Sequence, residues 1–220
     1  MVTLAPPAHT AVRFEAAFAA MPLVAILRGI TPDEVLPVAG ALVAAGFTLL
    51  EVPLNSPDAF DSIARLHAHC PPRVVVGAGT VLTPEDVGRL AALGAGLVVT
   101  PNTDPAVIDA AVRSDLVALV GCMTPTEALL ATRHGARALK IFPATALGPA
   151  YLKDIRAVLP VHTRLVPVGG IDVEAMTAFH AAGASGFGLG SVLYKPGRSA
   201  ADVGAVARDL VAAWRRLSTA

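Results

Sequence analysis

The sequence predicts an α/β fold, a compact (β/α)8 barrel of the TIM type with a short N-terminal helix before it. Eight short apolar runs, rich in β-branched residues, start about every 20 to 27 residues along the chain. Ala- and Leu-rich segments with helical spacing separate these runs. Strands that are apolar throughout are typical of a parallel sheet covered by helices. Eight such units in about 200 residues favour a closed barrel with few insertions.

The eight predicted strands follow one another in order. They span residues 23–28, 48–54, 74–80, 97–101, 117–123, 138–143, 165–169 and 186–193. Helices are expected to begin where Thr or Ser precedes Pro and acidic residues. Such starts occur at Thr31, Ser56, Thr83, Thr103 and Thr124. Gly46, Gly94 and Gly135 are expected to end three of the helices.

The start of the chain predicts a tail and a short helix over residues 1–20, with Thr10 as the helix N-cap. Residues 21–220 are expected to form one barrel domain that carries the chemistry. An open doubly wound sheet is the alternative fold. The glycine fingerprint of such sheets is absent after the first run, at Arg28-Gly29-Ile30-Thr31, and the glycines of residues 186–191 come too late to supply it.

Composition excludes several classes of protein. Lys plus Arg is 17 and Asp plus Glu is 17, so nothing indicates a nucleic-acid partner. The longest uncharged run, residues 175–194, contains four glycines and predicts helix, turn and strand rather than a membrane span. Two cysteines, Cys70 and Cys122, are too few for a disulfide framework, so we expect a reduced, cytoplasmic protein. Metal-ligand spacing is absent, because His67 and His69 point to different sides of a helix.

Lys140 and Glu51 are the polar residues that stand out most within the predicted strands. Alternation places Lys140 on the face opposite Leu139 and Ile141, inside the barrel. A desolvated lysine has a lowered pKa and can attack a carbonyl to form an imine. Glu51 is the only charge in its run, and a carboxylate among aliphatic residues can move protons. The plainer alternatives are a lysine that reaches the barrel rim and a salt bridge between Glu51 and Lys140 or Arg28.

Further candidates lie where other strands end, which is the end of a barrel that carries its chemistry. Arg28 offers paired donors to a carboxylate or phosphate, although it could instead pair with Glu51. Thr80 follows Gly77-Ala78-Gly79 and could donate to a carboxylate, or be an ordinary β-branched strand residue. A phosphate cradle is expected where the seventh and eighth strands end, unless these glycines only form tight turns. Its residues would be Gly169, Gly170, Gly190 and Ser191.

Six segments in order carry a resemblance to a known family over nearly all of the chain from Pro22 onward. They are Ala25-Ile26-Leu27-Arg28-Gly29-Ile30, Leu50-Glu51-Val52-Pro53-Leu54-Asn55-Ser56-Pro57, Gly77-Ala78-Gly79-Thr80-Val81, Thr100-Pro101-Asn102, Ala138-Leu139-Lys140-Ile141-Phe142-Pro143 and Val168-Gly169-Gly170. With these segments the chain resembles the Schiff-base aldolases that act on 2-keto-3-deoxy-6-phospho sugar acids. It is most similar to the branch acting on the galactonate epimer, because of the EVPLNSP stretch and of Val168, where the gluconate branch typically has Thr.

The resemblance implies reversible cleavage of the phosphogalactonate substrate to pyruvate and D-glyceraldehyde 3-phosphate, without a metal or cofactor. It implies that Lys140 forms the imine and that Glu51, through a water, moves the protons. Arg28 and Thr80 would hold the carboxylate end or neighbouring hydroxyls. Further substrate contacts are expected at Pro101, Phe142 and Val168, and phosphate contacts at the four cradle residues. The resemblance also implies a homotrimer in carbohydrate metabolism, in galactose catabolism.

Three alternatives stay open. The same reaction could run on the gluconate epimer, the barrel could bind a phosphosugar without turnover, or it could isomerise a related phosphate. A pure binding module does not need an inward lysine and glutamate together, and an isomerase does not need an imine-forming amine.

Overall fold

The computed structural model describes residues 9–219, and there eight strands alternate with helices as the sequence predicts. The predicted tail before residue 9 lies outside the described residues. The strands are β1 (Leu23–Ile26), β2 (Leu49–Pro53), β3 (Val75–Gly79), β4 (Leu97–Val99), β5 (Val117–Cys122), β6 (Ala138–Ile141), β7 (Leu165–Pro167) and β8 (Phe187–Leu189). The helices are α1 (His9–Ala20), α2 (Pro32–Ala45), α3 (Ala59–His69), α4 (Pro84–Ala92), α5 (Pro105–Arg113), α6 (Pro125–Arg133), α7 (Ala144–Arg156), α8 (Val173–Ala181) and α9 (Ala200–Ser218).

All eight strands run parallel, and each pairs with its neighbour in the sequence, except at one place. The order is β7-β6-β5-β4-β3-β2-β1-β8, so β1 pairs with both β2 and β8. The ring closes between β7 and β8 through a single parallel bridge from Val168 to Gly188. Beside this bridge, the Ser185 amide donates to the Leu165 carbonyl over 2.8 Å. The sequential order confirms the barrel and excludes the doubly wound sheet, in which the strand order would reverse.

Two hydrophobic layers follow from the alternation along the strands. The inner layer fills the barrel with residues such as Val24, Leu49, Leu119 and Ala138. The outer layer packs the opposite faces of the strands against the helices, as Leu139 does. On β6, Ala138 lies in the inner layer, whereas Leu139 and Ile141 lie in the outer layer. This alternation along β6 is the one that was predicted, and it places Lys140 on the inner face.

Helix α1 covers the N-terminal end of the barrel. Phe14 and Phe18 are buried and belong to the inner layer. Glu15 accepts hydrogen bonds from Arg137 and Arg164, which precede β6 and β7. The short N-terminal helix was predicted, but it begins at His9, so Thr10 lies inside it rather than capping it.

Several predicted boundaries are wrong by one to four residues. Each strand ends before its apolar run does, because the chain leaves the barrel once its hydrogen-bonded partner strand ends. Ser56 does not cap α3, because its hydroxyl accepts a hydrogen bond from the Gly29 amide over 2.9 Å, and the helix is capped at Asp58 instead. Asp104 rather than Thr103 caps α5, and the Thr103 hydroxyl donates to the Gly121 carbonyl.

Between residues 9 and 219, no helix is both long enough and apolar enough to cross a membrane. The 175–194 run forms the end of α8, a turn and β8, as its glycines predict.

Candidate active site

Lys140 lies inside the barrel near the C-terminal end of β6. Its side chain is buried, and in the strand register it stands between Gly121 on β5 and Val166 on β7. Burial lowers the pKa of Lys140, the charge of Glu51 opposes this, and the charge of Arg28 lowers the pKa further. The amine is therefore more available as a nucleophile than that of an exposed lysine.

Glu51 lies on β2, and its carboxylate is almost completely buried. Burial raises the pKa of Glu51 to about 7, although the charges of Lys140 and Arg28 and the Gly79 amide act in the opposite direction. Oxygen Oε2 has no hydrogen-bond partner, and Glu51 forms no ion pair within 4.0 Å among residues 9–219. A fixed salt bridge is thus not what holds this group. A carboxyl that titrates near neutral pH can both accept and return a proton.

Gly79 forms the wall against which the Glu51 carboxylate packs. A Cβ atom on Gly79 would lie 2.1 Å from Oε2 and 2.5 Å from Oε1, so the position leaves no room for a side chain. Strand register explains the contact, because Gly79 pairs with Pro53, two residues beyond Glu51 on β2. The two strands therefore place the glycine and the carboxylate side by side.

Thr80 is not a strand residue, contrary to the plainer alternative for it. It follows β3 with φ +55, a left-handed conformation that is rare for a β-branched residue and is strained. The neighbouring strands hold this corner. The Leu54 amide donates to the Gly79 carbonyl over 2.8 Å, and the Val81 amide donates to the Val99 carbonyl over 3.2 Å.

Pro101 and Phe142 stand on either side of Lys140. Pro101 follows β4 and packs on Gly121, whose added Cβ would lie 2.4 Å from the Pro101 carbonyl carbon. Phe142 follows β6, and its ring centroid is 4.9 Å from Lys140 Nζ. The Phe142 ring is partly exposed and lines the cavity described next, whereas Lys140 is buried.

A cavity of about 280 Å³ opens at this end, next to Phe142. Seven of the residues predicted from the sequence line it together: Arg28, Phe142, Val168, Gly169, Gly170, Gly190 and Ser191. The lining also contains four residues that the sequence analysis did not select: Ile26, Tyr194, Lys195 and Pro196. Lys140, Glu51, Thr80 and Pro101 lie outside the lining, deeper in the barrel or on the side of β2 to β4.

The glycine corner after β7 has the backbone geometry of an anion cradle. Gly169 and Gly170 have φ of 104° and 67°, which L side chains rarely adopt. The Asp172 carboxylate accepts from the Ala175 amide over 2.8 Å through one oxygen and caps α8. Backbone N–H groups near a helix start are suited to a phosphate.

Arg28 is exposed on the cavity side of β1. Its Nη1 atom donates to Asn55 Oδ1 over 2.8 Å, and not to Glu51. Asn55 was not predicted as the partner of Arg28, although it lies in the EVPLNSP stretch, four residues after Glu51.

His69 and Cys122 lie in surroundings that indicate a structural role rather than a role in chemistry. His69 contacts the Arg65 carbonyl at the end of α3, and within residues 9–219 no three His, Cys, Asp or Glu side chains gather as a metal site would require. Cys122 is buried, and burial with the nearby Glu127 charge raises the pKa of its thiol to about 12. Such a thiol is a core residue rather than a nucleophile.

Comparison with known proteins gives one consistent result. Residues 14–208 match the aldolase family described as KDPG and KHG aldolase. A probable 2-dehydro-3-deoxy-6-phosphogalactonate aldolase of Rhizobium meliloti (strain 1021) is 50% identical over 83% of this chain and 86% of its own length. The 2-dehydro-3-deoxy-6-phosphogalactonate aldolase of Escherichia coli (strain K12) is 46% identical over 89% of this chain and 95% of its own. A solved structure described as native KDPGal has a TM-score of 0.89 at 45% identity, covering 91% of this chain and 97% of that one.

Proposed function

Because this chain belongs to the KDPG and KHG aldolase family, we propose that it cleaves 2-dehydro-3-deoxy-6-phosphogalactonate reversibly to pyruvate and D-glyceraldehyde 3-phosphate. The enzyme is a carbon–carbon lyase. The observation that carries the proposal is a buried lysine with a lowered pKa and a buried carboxyl with a raised pKa on inward positions of one barrel.

In the first step the neutral Lys140 amine attacks the C-2 ketone of the substrate. The carbinolamine loses water and leaves a protonated imine between Nζ and C-2. The imine then draws in the electron pair of the C-3–C-4 bond as that bond breaks, giving an enamine and the aldehyde. Burial of Lys140 supports this role, because desolvation favours the neutral amine that the attack requires.

The second role belongs to Glu51. Its carboxylate, through a water, removes the proton of the C-4 hydroxyl as the C-3–C-4 bond breaks. The carboxylic acid then returns a proton to C-3 of the enamine, and water releases pyruvate and the free amine. A pKa of about 7 supports both halves of this exchange at neutral pH.

The remaining residues would hold the two ends of the substrate. Arg28 and Thr80 are suited to the carboxylate end or the neighbouring hydroxyls, with Pro101 and Phe142 on the flanks of the imine. The cradle of Gly169, Gly170, Gly190 and Ser191 would bind the phosphate, and Val168 would lie along the chain between the two ends. No metal or cofactor takes part in this scheme.

Assembly and place of action are part of the same proposal. We expect residues 21–220 to work as one catalytic domain, within a cytoplasmic homotrimer that takes part in galactose catabolism. The family resemblance supports these expectations, and the gluconate epimer is the alternative substrate.

Trapping the imine tests the proposal. Incubation with pyruvate and borohydride is expected to add one stable adduct, found by mass spectrometry on the peptide that contains Lys140. Lys140→Ala is expected to lose both the adduct and cleavage, while Lys153→Ala on α7 keeps both.

An adduct on Lys153 or Lys195, or full activity of Lys140→Ala, would contradict the mechanism. A barrel that binds phosphosugars without turnover would give binding of the substrate with no cleavage and no adduct.

A further inference from the structure

The cavity beside Phe142 carries positive charge without any acidic residue in its lining. Its two charged lining residues are Arg28 and Lys195. Concave sites lined by one sign of charge attract ions of the opposite sign. The cavity is therefore suited to an anion. A substrate of the proposed kind has two anionic ends, a carboxylate and a phosphate, and the positions of Arg28 and Lys195 indicate which end each of them can contact.

Arg28 lies on the side of the cavity that is nearer to Glu51 and Lys140. Its guanidinium donates to Asn55, which follows β2, the strand that carries Glu51. The charge of Arg28 also reaches Glu51 and Lys140, since it acts on the pKa of both. Arg28 thus lies near the reacting groups, as its proposed role at the carboxylate end or the neighbouring hydroxyls of the substrate requires.

Lys195 lies on the other side, in the loop that follows β8. It shares the cavity with Gly190 and Ser191 of the same loop and with Gly169 and Gly170 after β7. Its charge is not among those that act on Glu51 or Lys140, and it forms no ion pair among residues 9–219. Lys195 is thus a cation without an ion-pair partner in this region, and it lines the cavity together with the glycine cradle.

The loop that carries Lys195 is fixed from both sides. The Arg198 Nη1 atom donates to the carbonyls of Val192 and Leu193, over 2.6 and 2.8 Å. Pro196 packs on Gly29 after β1, where an added Cβ would lie 2.8 Å from Pro196 Cγ. Because its neighbours are held in this way, the Lys195 backbone is positioned at the cavity before a ligand arrives.

From these contacts we infer that Lys195 is a specificity-determining residue, whose ammonium group selects aldehydes and sugar acids that end in a phosphate over the same molecules without one. The inference rests on the proposed function and deepens it. The glycine amides and Ser191 supply hydrogen bonds, whereas Lys195 supplies a full opposite charge, which a neutral hydroxyl end cannot use. A charge-assisted contact at an exposed position is expected to be worth up to about fivefold in selectivity.

The test uses the condensation reaction, in which the phosphate is present or absent on the aldehyde alone. Pyruvate is combined with D-glyceraldehyde 3-phosphate or with D-glyceraldehyde, and kcat/KM is measured for each. Lys195→Gln is expected to lower the ratio of the two values about two- to fivefold, and Lys195→Arg to restore most of it. Lys153→Gln is the matched control, because Lys153 lies on α7 outside the cavity lining, and its ratio is expected to equal that of the wild type.

Inorganic phosphate gives an independent readout. As a competitive inhibitor against D-glyceraldehyde 3-phosphate, it is expected to bind Lys195→Gln more weakly than the wild type or Lys153→Gln. A ratio that Lys195→Gln leaves unchanged, or equal losses with both aldehydes, would overturn the inference while the aldolase activity of the wild type stands. A wild type that condenses neither aldehyde would overturn the proposed function, and this inference with it.

Discussion

Replacing Gly79 by Ala tests how closely the position of the Glu51 carboxylate is set. The added methyl group would lie 2.1 Å from Oε2 and 2.5 Å from Oε1 and Cδ of Glu51. Gly79 does not have the positive φ of a strained glycine, so alanine meets no backbone penalty there. The substitution therefore acts through its contact with the carboxylate.

The size of the effect follows from these distances. Ordinary contact begins at 3.4 Å, so the carboxylate has to retreat by about 1.3 Å from the methyl group. The atoms that the methyl group meets form the end of the buried Glu51 side chain, so the carboxylate itself is expected to move from its present place. A misplacement of about 1 Å in a reacting group costs roughly 10²-fold in rate, and overpacking costs about 1–3 kcal/mol of stability.

Two measurements separate the proton-transfer step from the imine step. We expect kcat for cleavage to fall roughly 10²-fold in Gly79→Ala. Borohydride trapping of pyruvate at Lys140 is expected to continue, which also shows that the barrel is folded. Gly88→Ala on α4 is the control, because nothing lies within 4 Å of its added methyl group. It is expected to keep full activity and to gain up to about 1 kcal/mol of stability as a helix substitution. A wild-type kcat in Gly79→Ala would refute the reasoning.

Two further predictions concern Glu51 and Val168. We expect Glu51→Gln to lose roughly 10²–10⁴-fold in cleavage and to lose the exchange of pyruvate methyl protons with solvent. Burial raises the pKa of the Glu51 carboxyl from 4.5 to about 7, so between these pH values the folded protein keeps a proton that the unfolded chain releases. Wild-type stability is therefore expected to fall as pH rises from about 4.5 to about 7, and urea unfolding at pH 8 should show Glu51→Gln more stable by up to about 3 kcal/mol, with no gain near pH 4. Equal stability of the two proteins at pH 8 would show that burial does not raise the pKa of Glu51 in the native state. Val168→Thr is expected to shift the ratio of kcat/KM values for the two epimers two- to tenfold toward gluconate, because Val168 lines the cavity and threonine adds one hydroxyl. An unchanged ratio would place specificity elsewhere.

Local patterns in the sequence predict the architecture well. Each strand is a continuous apolar run, and this signal depends only on neighbours in the chain, so all eight strands were predictable. Alternation also predicts the inward direction of Lys140 and Glu51, because a strand with helices on its outside leaves one face for the interior.

Features that depend on distant partners were not predictable. Ser56 looks like a helix cap in the sequence, but its hydroxyl accepts a hydrogen bond from the Gly29 amide, 27 residues away. The left-handed turn at Thr80 depends on hydrogen bonds from β2 and to β4 that hold the corner. Lys195 follows an apolar run like many surface lysines, and only the folded loop, held by Arg198, brings it to the cavity.

The junction of β7 and β8 gives the barrel one weak place in its ring. Along the other seams two to five consecutive residues pair, whereas here the backbone contributes one bridge, from Val168 to Gly188, and the Ser185–Leu165 hydrogen bond. The proposed phosphate cradle lies directly beyond this junction, with two glycines on the β7 side and Gly190 and Ser191 on the β8 side. An anion held by both sides adds the cross-links that the backbone lacks. On the proposed function, substrate bound in the cradle would therefore also strengthen the junction that the backbone closes with a single bridge.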